Sequence, residues 1–242
     1  MTDFVAKPQV NELIKLSGKI KNYQARRASA SFVFSEENQN QLGVIAIAAA
    51  LAEMGGQAAS TVAAASDTEE VAEYVEFNLD EQTLKGWIWR SPFREGDDVA
   101  VAAQWQLDHY ELFGIARPRD RMIALYPHCS RAKVRHVKNA IKWWAICTII
   151  FFSFMAILAL LVIGKELLQE PAFYWGNGFI AIFFILMFTS LARQFMPFVR
   201  VAQKVFVALD LPDAKNIDLV KSSQQQRTKK DPPEFGTFYF RY

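Results

Sequence analysis

The sequence predicts an α+β membrane protein, a small β-barrel-like domain joined to a two-helix transmembrane hairpin, on three observations. Two uncharged apolar segments of membrane-spanning length lie close together at 143–163 and 173–192. Basic residues crowd the outer flanks of this pair. Ahead of it, short apolar runs alternate with period two, the mark of half-buried strands. The expected organisation is a β-rich domain over 1–130 with a helical insertion at 42–65, a basic juxtamembrane segment and hairpin over 131–192, and a 193–242 tail.

The strands come first. Ala28, Ala30, Phe32 and Phe34 alternate with Ser29, Ser31 and Val33, and Val75, Phe77 and Leu79 alternate with Tyr74, Glu76 and Asn78. Residues 80–83 read as a turn into a partner strand at 84–89, and 91–98, with Pro92, Gly96 and three acids, reads as a loop. A second strand pair is expected at 99–105 and 110–116. The turn at 117–121 then leads to a last strand at 122–126. Five or six short strands at this spacing suggest a small barrel of OB-like or SH3-like pattern. The strand faces lack the basic and aromatic groove that single-strand binding requires, so nucleic acid is not an expected partner.

Between the strands, residues 42–65 are rich in Ala and Gly and carry one charge, Glu53. Val44, Ile47, Leu51 and Met54 form a helical stripe, but Gly55-Gly56 interrupts it, and Ala and Gly add little to insertion. The expectation is a helix packed on the barrel, on the membrane face or against a partner's membrane helix, with a third crossing as the alternative.

The hairpin follows. Residues 143–163 hold twenty-one residues without a charge, thirteen of them Ile, Leu, Val, Phe or Met; residues 173–192 hold twenty, with eleven of that set. About 20 helical residues match a hydrocarbon core of about 30 Å. No polar face appears in either segment. Arg131, Lys133, Arg135, Lys138 and Lys142 precede the first segment, and Arg193, Arg200 and Lys204 follow the second. Positive residues stay on the cytoplasmic side, so both termini are expected in the cytoplasm, with the 164–171 turn outside. Trp143, Trp144, Tyr174 and Trp175 stand at segment ends, as membrane anchors in an aromatic belt.

In the tail, Phe195, Phe198, Val199, Ala202, Val205, Phe206 and Leu209 recur at helical spacing. They imply an amphipathic helix on the inner leaflet, or a stalk continuing the second crossing that Pro197 would kink. The polar 213–234 segment reads as a linker. The terminal 235–242 run is dense in β-formers and aromatics, and is expected to dock as a strand on the barrel edge or on a partner's edge.

Composition limits the chemistry. The net charge of +2 makes no global field, and two cysteines, Cys129 and Cys147, make no disulfide framework. Residues 1–9 lack the charged-then-apolar-then-small pattern of a cleaved signal, so the internal segments are expected to direct insertion. His128 neighbours Cys129, but adjacent strand residues point to opposite faces, and two ligands fall short of a structural zinc site. The acid pairs Glu36-Glu37, Glu69-Glu70 and Asp97-Asp98 are consecutive, which suits solvation better than acid–base work. No phosphate loop or nucleophile elbow occurs. No catalytic residue, metal or cofactor is expected. The densest charge feature of the barrel, Arg117, Arg119, Asp120 and Arg121, reads equally as a contact for anionic lipid or an acidic partner and as a self-paired turn.

The runs Gly86-Trp-Ile-Trp-Arg-Ser-Pro-Phe-Arg-Glu-Gly-Asp97, His109-Tyr-Glu-Leu-Phe-Gly-Ile-Ala-Arg-Pro118, Ala124-Leu-Tyr-Pro-His-Cys-Ser130 and Gly236-Thr-Phe-Tyr-Phe-Arg-Tyr242 resemble a family of bacterial inner-membrane proteins labelled type VI secretion system effectors. The resemblance covers about residues 75–242. It implies the secretion system and no catalytic role. With the hairpin and the missing chemistry, the expected function is a membrane-anchored immunity protein that binds and neutralises a cognate toxin acting at the inner membrane. The pore-forming effector itself and a membrane-tethered adaptor are the alternatives. Membrane lipids and the toxin are the expected partners, with an oligomer open. Candidate partner-binding residues are Val44, Ile47, Leu51, Met54, Arg117, Arg119, Arg121, Phe238 and Phe240.

Overall fold

The computed structural model describes residues 13–30, 70–162, 164 and 170–242. The 42–65 stretch, with Val44, Ile47, Leu51 and Met54, lies outside them. Two compact units form: one joins the residues up to Ala132 with Pro197–Tyr242, and the other is Lys133–Met196. The tail expected to stand apart is therefore part of the first unit.

In that unit the strands are β1 (Ile14–Ala30), β2 (Glu70–Leu79), β3 (Gln82–Ile88), β4 (Asp98–Trp105), β5 (Tyr110–Arg117), β6 (Met122–Leu125) and β7 (Phe240–Arg241). The sheet runs β3-β2-β1-β4-β5-β6-β7, and a parallel β3–β5 pairing closes the first five into a barrel compatible with the OB-like expectation. β1 serves two partners, pairing with β4 over its first six residues and with β2 from Ile20 onward. A bulge between Lys21 and Gln24 turns it from one to the other, with Asn22 at φ 55°. Bulges add the bend and twist a closing sheet needs, and Asn tolerates the left-handed region. The Glu95 carboxylate accepts from the freed amides of Asn22 (3.0 Å) and Tyr23 (2.8 Å).

Two apolar layers result. Ile20, Val75, Phe77, Leu84, Val101, Leu112 and Ile115 fill the barrel, capped by Phe93 and Phe235. On the outer face, Ala100, Ala102, Phe113, Ala116, Ile123 and Leu125 pack against helix α3 (Met196–Ala208), through Phe198, Ala202, Val205 and Phe206. Gly114 makes this approach possible: a Cβ there would stand 2.6 Å from Val205 Cγ1. The apolar stripe of α3 thus faces protein, neither the inner leaflet nor a stalk. A row of Ala and Gly on the sheet leaves a trough that a helix fills. Pro197 sits at the start of α3, where its missing N–H costs nothing, so it begins a new helix and does not kink an old one.

The 213–234 segment is also not a free linker. Helix α4 (Leu219–Gln226) forms inside it, with the Asp218 side chain accepting from Lys221 N at 3.1 Å. Leu219 and Ser223 are fully buried, and Ser223 Oγ accepts from Arg241 N at 2.8 Å. Apolar anchors at Leu219, Phe235 and Phe240 hold the polar segment on the barrel. β7 pairs antiparallel with β6, placing Phe240 opposite Ile123.

The second unit is the helix pair α1 (Lys133–Val162) and α2 (Pro171–Gln194). α1 begins ten residues before the apolar run, so its basic residues are helical; its 30 residues extend roughly 45 Å.

Candidate membrane hairpin and contact surfaces

Both hairpin helices are long and apolar enough to cross a membrane, with mean hydropathy 2.5 and 1.7 in their most apolar windows. None of either window is buried inside the protein. Phe151 and Phe184 meet across the pair at 5.1 Å, and His136 Nε2 lies 3.0 Å from the Ala192 carbonyl. Tyr174 and Trp175 are exposed near the start of α2; Trp143, exposed, and Trp144, half-buried, lie within α1 as its eleventh and twelfth residues. Lys133, Lys138, Lys142, Arg193 and Arg200 are exposed, and Arg135 is half-buried.

Residues just before α1 are bound to residues well past α2, all in the first unit. Arg131 pairs with Asp218 at 3.3 Å, Ala132 N donates to Ile217 O (2.9 Å), and Leu219 N donates to Ser130 O (3.1 Å). Cys129 Sγ donates to Phe198 O at 3.4 Å, and the His128 ring packs edge-on against Phe198 at 5.0 Å. Arg131, one of the basic residues ahead of the first segment, is half of this clamp. Burial pushes the Cys129 thiol well up, away from the thiolate a nucleophile or metal ligand needs. His128 holds the Glu70 carboxylate at 2.9 Å and packs on Trp89.

The charged barrel turn divides. The Arg117 guanidinium contacts Asp97 at 2.6 Å and Asp120 at 2.8 Å and lies over Phe93, so it braces two loops and is not a free contact. The carboxylates raise it further above its ordinary value. Arg119 and Arg121 are exposed, the latter over the Tyr242 ring. Phe240 is 1% exposed, so the candidate contact role is corrected: its side chain belongs to the core. Phe238 is partly buried against Trp89 and Arg90.

Two polar clusters have no clear local signal in the sequence. The Glu73 carboxylate, 9% exposed, accepts from Arg27 Nε, Arg90 Nη1 and Ser91 N, tying β1, β2 and the β3–β4 loop together. At the β4–β5 turn, His109 stands between Asp108 (2.6 Å) and Glu111 (3.6 Å), with Glu111 buried. The Glu111 carboxylate holds the His109 imidazole above its ordinary value, and burial holds the Glu111 carboxyl above the usual carboxylate range. A folded value above the unfolded one gives stability that is full below the unfolded pKa and lost as pH rises through the folded pKa. For His109 that loss begins above about 6.5. Melting temperature of the purified protein should therefore fall from about pH 6 to about pH 8, and His109→Gln should flatten that fall.

Among the described residues, no group of three or more His, Cys, Asp or Glu is placed to hold a metal ion. No family model, no curated protein and no solved structure matches the chain.

Proposed function

We propose that the chain is a membrane-anchored binding protein of the bacterial inner membrane. It acts as an immunity protein, neutralising by contact a type VI secretion toxin that works at that membrane. The observation that carries the anchoring is the unburied apolar hairpin whose two flanks belong to one folded unit. Exposed apolar helices of this length are stable in lipid and costly in water. Two crossings return the chain to the side it left, as the Arg131–Asp218 clamp requires. The basic flanks make that side the cytoplasm, with the barrel and Tyr242 on it.

The contact role is supported by the barrel's titratable groups, which are spent on structural pairs: Glu73 with Arg27 and Arg90, Arg117 with Asp97 and Asp120, Arg131 with Asp218. The toxin as partner rests on the family resemblance. Exposed Arg119 and Arg121 and the lipid-facing hairpin are the surfaces offered to it, and occupying helix-packing surfaces blocks assembly of a pore without chemistry.

The protein should stay in the membrane pellet through alkaline carbonate, with a tag at Tyr242 protected from protease added outside spheroplasts. Deleting its gene in a cell that carries the toxin should cause self-intoxication. Expression of the protein alone should leave the membrane potential unchanged. Release by carbonate rejects the anchor, healthy deletion strains reject the immunity role, and depolarisation makes the protein the effector.

A further inference from the structure

At its basic end the hairpin opens into a cleft of about 400 Å³. Val137, Ala140, Ile141 and Trp144 of α1 form one wall; Ile185, Phe188, Thr189 and Ala192 of α2 form the other, with Arg193 and Met196 at the rim. The volume lies in the range of small-ligand sites, and the lining is mostly apolar, with Thr189 and Arg193 as polar members. Small side chains at Ala140 and Ala192 make the space. His136, bonded to the Ala192 carbonyl, keeps the helices in contact beside it.

Charge decides what fits. The cleft end of the hairpin carries Lys133, Arg135, Lys138, Lys142 and Arg193 and, among the described residues, no acid. Lys133 lies one turn before Val137, on the same helix face. A second copy of this hairpin would bring like charge against like. A ligand with an apolar chain and a negative head matches both the lining and the charge. Basic pockets between membrane helices on the cytoplasmic side recognise anionic lipids in this way.

We propose that the cleft binds one anionic glycerophospholipid, an acyl chain between the helices and its phosphate held by Arg193 and Lys133. The inference rests on the hairpin lying in a bilayer.

The test uses the full chain in mild detergent, with phosphatidylglycerol or phosphatidylcholine added, read by native mass spectrometry and thermal shift. The wild type should retain one phosphatidylglycerol and melt higher with it, with little response to phosphatidylcholine. Arg193→Gln and Lys133→Gln should each weaken the response about fivefold, the effect of one base near an anionic surface. Ala140→Trp, which fills the cleft, should remove it. Equal retention of both lipids, or indifference to Arg193→Gln and Ala140→Trp together, overturns the site. A lipid-free dimer that Ala140→Trp breaks makes the occupant a second copy and also overturns it. Carbonate release of the chain from cell membranes is a separate failure, of the anchoring itself.

Discussion

Gly86→Ala should strip the barrel of most of its stability. A Cβ at Gly86 would stand 2.5 Å from the Leu112 carbonyl oxygen, 2.8 Å from Leu112 Cβ and 3.0 Å from Leu112 N. Two of these atoms are backbone, and they belong to the strand on which the barrel closes. The parallel pairing of β3 with β5 runs through Leu84–Tyr110 and Lys85–Glu111, one residue from Gly86. Relief of the clash therefore opens the ring and exposes Leu84 and Leu112, both fully buried. Overpacking alone costs about 1–3 kcal/mol, and the exposed pair adds about 1.5–3 kcal/mol per side chain. The sum, about 4–9 kcal/mol, is most of a typical total stability of about 5–15 kcal/mol. Gly18→Ala is the control. The nearest atoms to its new Cβ are at 3.6 Å, ordinary contact, so its melting temperature should match or exceed the wild type. Thermal unfolding followed by circular dichroism in mild detergent separates the two.

The runs behind β2 through β6 were legible because each is local: β2 alternates apolar and polar residues, and β3 to β6 are short, mostly apolar runs bounded by turn residues. β1 is less so. Ile14, Leu16, Gly18 and Ile20 alternate with Lys15, Ser17, Lys19 and Lys21, a usable signal. The bulge at Asn22 and the charged Arg26-Arg27 interrupt it, and the expectation reached only Ala28 onward. The closure of β3 on β5 has no local signature at all, because it joins strands that are not neighbours in sequence. Helix α3 shows the limit most clearly. Its periodicity gives the helix and its apolar face, but a lipid leaflet and a protein trough are alike to that face. What decides is the row Ala100, Ala102, Gly114 and Ala116 on another part of the chain. Among the contact residues, Phe238 and Phe240 look alike in sequence, yet strand pairing with Ile123 buries one. The Arg131–Asp218 clamp spans 87 residues and leaves no trace in spacing. The two apolar helices, by contrast, were legible as helices of membrane-spanning length, since length and apolarity are summed along a single segment.

Phe206→Ala should cost the barrel about 3–5 kcal/mol, the usual loss for a large aromatic removed from a packed core. Phe206 is 0% exposed and lies in the outer layer with Ala202, Val205 and Phe198 against Phe113, Ile123 and Leu125. Were this face lying in a leaflet, the substitution would weaken membrane contact and leave the barrel's melting temperature alone. Packed as it is on β5 and β6, the loss appears in the unfolding of the barrel itself. Val207→Ala, on a side chain 57% exposed, should shift stability by no more than about 0.5 kcal/mol. The comparison has a consequence for the whole chain. Nearly half of the outer layer comes from residues made after the hairpin, so that layer cannot be completed until both hairpin helices have been synthesised. A chain ending at Gln194 should keep β1 to β6 but expose Ala102, Phe113, Ile123 and Leu125, and be degraded or aggregate where the full chain is stable. Completion of the outer layer thus waits on synthesis of the hairpin, and a barrel that resists protease reports that α3 has packed on β5 and β6.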